Sequence, residues 1–182
     1  MIIYTCRVTG DEMLSDAYKP QDVVGADGEV VPELFEIESM TVNKDGGEVD
    51  VGCGDAFGGG GADEGPDDGA EKVNNVIDES IGFGYNEVPM GKKDFKDFLK
   101  TYCGKVRTML KEDDKVAGPD VKAFTQAAPA FCKFLLGKFD DLQFYMSASF
   151  NPDGCMAMSY YKDGASNPTF VYIKKGLSEM KV

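Results

Sequence analysis

The 182-residue chain predicts an α+β fold: antiparallel sheet, with one helical hairpin set between two strand-rich segments. Three observations carry this reading. The first part of the chain holds short β-rich runs broken by Pro and Gly. Two consecutive segments then keep their apolar side chains at helical spacing. Strand patterns return afterwards around a strong turn signal. Such segregation argues against alternating βαβ units, and the length suits one domain over 1–182 with a sizeable core.

The elements follow in order. "MIIYTCRV" opens with a strand, and "EML" after "TGD" starts a second. "ELFEIESMTVN" alternates, with Phe35 and Ile37 on one face. From about 44 to 71 the pattern collapses into Gly and acid with little to bury, which predicts a mobile acidic loop. "KVNNVIDESIGFGYNEV" returns to extended structure. "GKKDFKDFLKTYCGKVRTMLKE" is the clearest helix. Phe95, Phe98, Leu99, Tyr102, Val106, Met109 and Leu110 share one face, and Lys93, Lys96, Lys100, Arg107 and Lys111 form a basic stripe beside it.

"DDKVAGPD" is a turn. In the helix after it, Val121, Phe124, Ala128, Phe131 and Leu135 fall at helical spacing, Asp120 is placed as N-cap, and Pro129 predicts a kink. So short a turn makes an antiparallel hairpin over about 91–139. "LQFYMSASF" and "CMAMSYY" then flank the turn "NPDG", and "TFVYIKKGL" reads as a last strand before a polar tail.

Composition removes several chemistries. There is no histidine, which excludes His-dependent hydrolases and His-containing zinc sites. The five cysteines (6, 53, 103, 132, 155) form no CxxC pair and read as reduced thiols, each a small core residue without a sequence-near base or resolving partner. No apolar run approaches the roughly 18–20 residues of a membrane span, and no signal peptide is evident, so a cytoplasmic protein is expected. Residues 1–71 carry 18 acidic and 3 basic side chains, net −15, against 14 acidic and 16 basic, net +2, over 72–182. An acidic chain of this kind is repelled by nucleic acid and anionic lipid, whereas its basic hairpin suits an acidic partner surface.

The acidic stretch "GDAFGGGGADEGPDDGAE" invites two ligand readings. Gly58 and Gly60 would start a GxGxxG phosphate loop, but the third position is Asp63, and its neighbouring carboxylates would repel a pyrophosphate. Asp63, Glu64, Asp67 and Asp68 offer oxygen ligands to calcium, yet without the acid-x-acid-x-acid-Gly frame. At most weak, roughly millimolar calcium is expected, with no obligatory cofactor. Asp11 and Glu12 form an acidic pair in a turn.

Several segments, taken together, resemble the translationally controlled tumour protein family. They are "MIIYTCRVTGDEMLSDAYK" at the start, "EGP" at 64–66, and "QFYM", "NPDG" and "KKGLSEM" near the end. The likeness covers nearly the whole chain in order, as a divergent, non-animal member. It implies the β-tent fold with a protruding hairpin and a flexible acidic loop, and an abundant cytosolic protein with no settled catalytic activity. It further implies links to calcium, tubulin and microtubules, translation elongation factor, anti-apoptotic partners, small GTPases and cell growth. Glu12 matches the acid that would meet a small GTPase, with Asp11 beside it and Glu64 retained from the first signature. The basic hairpin matches the tubulin-linked region, tubulin's tails being strongly acidic.

Two departures bear on the GTPase surface. The first signature reads "GGADE", and the Gly-Glu of the second is replaced by Ser147 and Ala148. From Asn43 to Glu79 there is no Ser, Thr or Tyr, so the loop has no phosphorylation site. Guanine-nucleotide exchange on a small GTPase is the alternative binding role. A thiol enzyme similar to methionine sulfoxide reductase is the alternative from another class.

Overall fold

Ile2, Ile3 and Thr5 give strand β1 (Ile2–Cys6) its β-branched character, and β2 (Glu12–Ser15) pairs back along it after a short turn. The computed structural model describes residues 1–45 and 71–182, so the glycine-rich acidic stretch lies outside the described residues. Further strands are β3 (Gln21–Val24), β4 (Val30–Glu38), β5 (Thr41–Asn43), β6 (Lys72–Asn74) and β7 (Asn86–Val88). After the helices come β8 (Gln143–Met146), β9 (Met156–Tyr160), β10 (Thr169–Ile173) and β11 (Leu177–Lys181). The hairpin consists of α1 (Lys92–Glu112) and α2 (Gly118–Gly137).

Among the described residues the strands form a six-stranded sheet, β3-β4-β10-β9-β8-β7, a three-stranded sheet, β11-β1-β2, and the two-stranded pair β5-β6. Every pairing is antiparallel. The α+β class, with its antiparallel sheets and helical hairpin, is therefore as the sequence predicts. The β5-β6 ladder, with Asn43 opposite Lys72, joins the two ends of the stretch outside the described residues, and Lys44 pairs with Glu71 at 3.3 Å just beyond it.

In β4, Phe35 and Ile37 share a face as alternation requires, but Leu34 and Glu36 on the other face are buried as well. The Phe35 ring lies 5.7 Å from Tyr4 and 5.5 Å from Tyr172. On the opposite face Tyr160 donates its hydroxyl to Glu36 at 2.6 Å, and Lys138 at the end of α2 sits 4.4 Å over the Tyr160 ring. β10 is buried at all five positions, as a strand covered on both faces must be.

α1 buries the stripe its spacing predicts, and α2 does so at all but one position. In α1 it is Phe95, Leu99, Tyr102, Val106 and Leu110, with Phe98 and Met109 half-buried at its edges. α2 packs on β4, and α1 meets the turn Lys174–Gly176. One apolar cluster runs through the sheets and the hairpin alike.

Three sequence expectations are corrected here. The last strand ends at Ile173, Lys174–Gly176 is a 3-10 turn, and the polar tail is itself β11, paired along β1 from Leu177 to Lys181. Only Leu177 of that strand is buried, so no alternation announced it. Asp120 is not the N-cap: with Pro119 in the first turn, α2 begins at Gly118 and Ala117 takes the cap position. Asp120 instead sits in the first turn, where its charge complements the helix dipole. Ala127, rather than Ala128, completes the buried stripe of α2. α2 holds Pro129 within it and runs on to Gly137. Pro129 is exposed, so the Thr125 carbonyl, deprived of its helical donor, can turn to water.

Candidate functional site

The β1–β2 turn places the acidic pair. Cys6 donates its backbone N–H to the Asp11 carbonyl at 2.7 Å, closing residues 7–10 into a tight loop. Against it packs the segment that follows β8. A Cβ on Gly154 would lie 2.8 Å from Thr9 Cγ2, so the close approach of these turns requires glycine there. Asp11 Oδ2 accepts hydrogen bonds from Thr9 Oγ1 at 2.8 Å and Ser147 Oγ at 2.6 Å, and from Ser149 Oγ. Burial pushes the Asp11 carboxyl up, but the hydroxyls of Ser147, Ser149 and Thr9 outweigh it and hold the group below the usual carboxylate range.

Asp11 is thus a held carboxylate, and Glu12 alone of the pair is exposed. Ser147, one of the two departures from the family signature, supplies a hydroxyl to that cage. Beyond Ser149, Phe150 is 56% exposed with a left-handed backbone (φ 53°), a conformation uncommon for a bulky residue. Sequence reading passed over Phe150. Its one signal is its place immediately before the "NPDG" turn.

The basic stripe occupies a second surface. Lys93, Lys96, Lys100, Arg107 and Lys111 are all exposed on α1. None of them makes an ion pair with a described carboxylate, whereas Lys105 on the same helix pairs with Asp153. Lys96 with Lys100, and Arg107 with Lys111, are i,i+4 neighbours of like charge, an arrangement that costs an isolated helix a few tenths of a kcal/mol per pair. The hairpin is fixed to the sheets at its turn by Arg7, whose Nη1 meets Asp113 Oδ2 at 2.8 Å.

The calcium candidates Asp63, Glu64, Asp67 and Asp68 lie outside the described residues. Among the described residues no group of three or more His, Cys, Asp or Glu side chains could hold a metal ion. No helix among them is long and apolar enough to cross a membrane.

Cys6 and Cys155 lie in the apolar core and Cys103 and Cys132 pack against it as free thiols, which is the small core residue the sequence predicts, but tertiary contact also brings them together in pairs. Cys103 of α1 and Cys132 of α2 face each other with their sulfurs 4.0 Å apart. The backbone N–H of Cys155 meets Cys6 Sγ at 3.1 Å. Each of these four thiols has a neighbour supplied by tertiary contact, which spacing along the chain could not reveal.

Antiparallel sheets carrying a helical hairpin define the class as an α+β protein, with the basic stripe of α1 and Glu12 exposed on its surface. Comparison with known proteins gives its family. The family description "Translationally controlled tumour protein" matches residues 1–178. A translationally-controlled tumor protein homolog of Neurospora crassa is 35% identical over 183 residues, covering all of both chains. Among solved structures, the translationally controlled tumor-associated protein of Schizosaccharomyces pombe superposes with a TM-score of 0.72 at 28% identity over the full length of both. The translationally-controlled tumor protein of Caenorhabditis elegans, at 23% identity and TM-score 0.58, shares the fold over 100% of this chain and 99% of its own. The chain belongs to the translationally controlled tumour protein family.

Proposed function

We propose that this protein is a non-catalytic cytoplasmic binding protein that docks acidic protein surfaces, tubulin and microtubules first among them, through the basic stripe of α1. One observation carries the reading: five exposed cations stand along one helix, unpaired with any described carboxylate, in a protein of net charge −13. Like charges held side by side at a cost in helix stability are explained by a partner that neutralises them. Reversing Lys96, Lys100 and Arg107 to Glu should abolish microtubule co-sedimentation while circular dichroism stays unchanged. The wild-type interaction should fade as salt shortens the screening length from about 10 Å at 0.1 M. Unchanged sedimentation of the reversed variant would reject the stripe as the docking face.

A second reading is favoured by Glu12, exposed beside the caged Asp11 and on the same chain surface as the Asp11–Ser149 contact. Here Glu12 is the acid presented to a small GTPase, and Asp11 sets the turn that presents it. Glu12→Ala should remove any stimulated release of labelled GDP, and absence of stimulation by the wild type would dismiss this role. Weak calcium binding by Asp63, Glu64, Asp67 and Asp68, and contact with translation elongation factor, belong to the same multi-partner reading.

A further inference from the structure

We propose that Cys103 and Cys132 form a peroxide-oxidisable dithiol site that closes into a disulfide across the helical hairpin. The proposal stands apart from the docking readings and does not depend on them. The two sulfurs, one on each helix, are 4.0 Å apart, and both residues are half-buried. A disulfide needs about 2.05 Å, so the sulfurs must approach by roughly 2 Å, within reach of side-chain rotation and a small adjustment of the helices.

The other described thiols differ. Cys6 and Cys155 are 1% and 2% exposed, and the Cys6 sulfur already accepts the N–H groups of Thr9 and Cys155. Burial pushes the Cys155 thiol up, away from the reactive thiolate. Peroxide is thereby directed to the hairpin pair.

The hydrogen bond with Cys103 lowers the pKa of the Cys132 thiol, while that same bond and burial raise Cys103. Cys132 thiolate attacks one peroxide oxygen, the O–O bond breaks, and hydroxide leaves to take up the proton Cys132 had released. The Cys132 sulfenic acid that remains is then attacked by the Cys103 sulfur. The S–S bond forms as the S–O bond breaks, and the departing hydroxyl takes the Cys103 proton as water. Each sulfur loses one electron, and one peroxide becomes two waters. A dithiol reductant reverses the change.

The disulfide would staple α1 to α2 around residues 104–131, the part of the hairpin that contains its turn. The test uses the full chain carrying Cys53→Ser, which removes the cysteine outside the described residues. After brief exposure to hydrogen peroxide, peptide mapping should find Cys103 linked to Cys132, two hydrogens lighter and restored by dithiothreitol. Its Tm should rise by on the order of 5 °C relative to the reduced protein. Adding Cys103→Ser should leave a sulfenic acid on Cys132 that dimedone traps. Adding Cys132→Ser instead should abolish the link, so that no Cys103–Cys132 peptide forms. A link through Cys6 or Cys155, linkage only between molecules, or no link at a peroxide dose that oxidises glutathione would overturn the proposal. If either serine variant fails to fold, the peptide map and Tm of the parent decide the matter alone.

Discussion

Asp11 shows how far a single residue can be read. Its identity and its place in a turn were visible in the sequence, and an exposed acid was the natural reading. What spacing could not show is that Ser147 and Ser149, more than 130 positions away, donate to it. With its folded-state pKa below the ordinary value, ionised Asp11 stabilises the fold above the usual carboxylate range. That contribution is lost as pH falls through the folded value. Asp11→Asn should lower stability at pH 7 by about 1 kcal/mol, a figure kept small because the site is only half-buried. In urea titrations the gap from wild type should close in acid. A gap that stayed constant with pH would show that the charge of Asp11 has no part in it. Glu33 is the contrasting residue. Burial pushes its carboxyl up, its Oε2 is buried without a hydrogen-bond partner, and its φ is 61° within β4. The β3–β4 register shifts there, and neither feature has a sequence signal.

At the scale of elements, the helices were the most legible part, because an apolar stripe at helical spacing has one economical interpretation. Phe95, Leu99, Tyr102, Val106 and Leu110 are buried as their spacing requires. The contact between α1 and the turn Lys174–Gly176 was not legible, since it depends on residues 74 positions apart, Tyr102 and Gly176, meeting closely. A Cβ on Gly176 would lie 2.2 Å from Tyr102 Oη and 3.1 Å from its Cζ, and Tyr102 is itself buried. Gly176→Ala should therefore cost about 1–3 kcal/mol in chemical denaturation. Combining it with Tyr102→Phe, which removes the nearest atom, should recover part of that loss. Strict additivity of the two changes would place the cost elsewhere.

For the whole molecule, the ends of the chain close the three-stranded sheet: Ile2 lies opposite Lys181, and Cys6 opposite Leu177. Removing residues 177–182 would uncover the β1 edge and delete buried Leu177, a loss of at least about 2–4 kcal/mol from that side chain alone. The truncated protein should melt at a much lower temperature, by calorimetry or circular dichroism, and expose an edge prone to association. An unchanged melting temperature would mean that β11 only decorates the sheet.

Periodicity and composition alone carry the α+β class, both helices with their buried faces, the basic stripe of α1, most strands, and the chemistries ruled out by the absence of histidine. Both act over a few residues and leave a local record. Tertiary structure alone decided the pairing of β11 with β1, the cage around Asp11, the meeting of Gly176 with Tyr102 and the facing of Cys103 and Cys132. Each joins segments distant along the chain. The atoms that fix such contacts become neighbours only when the core closes, and spacing within either segment carries no trace of the other.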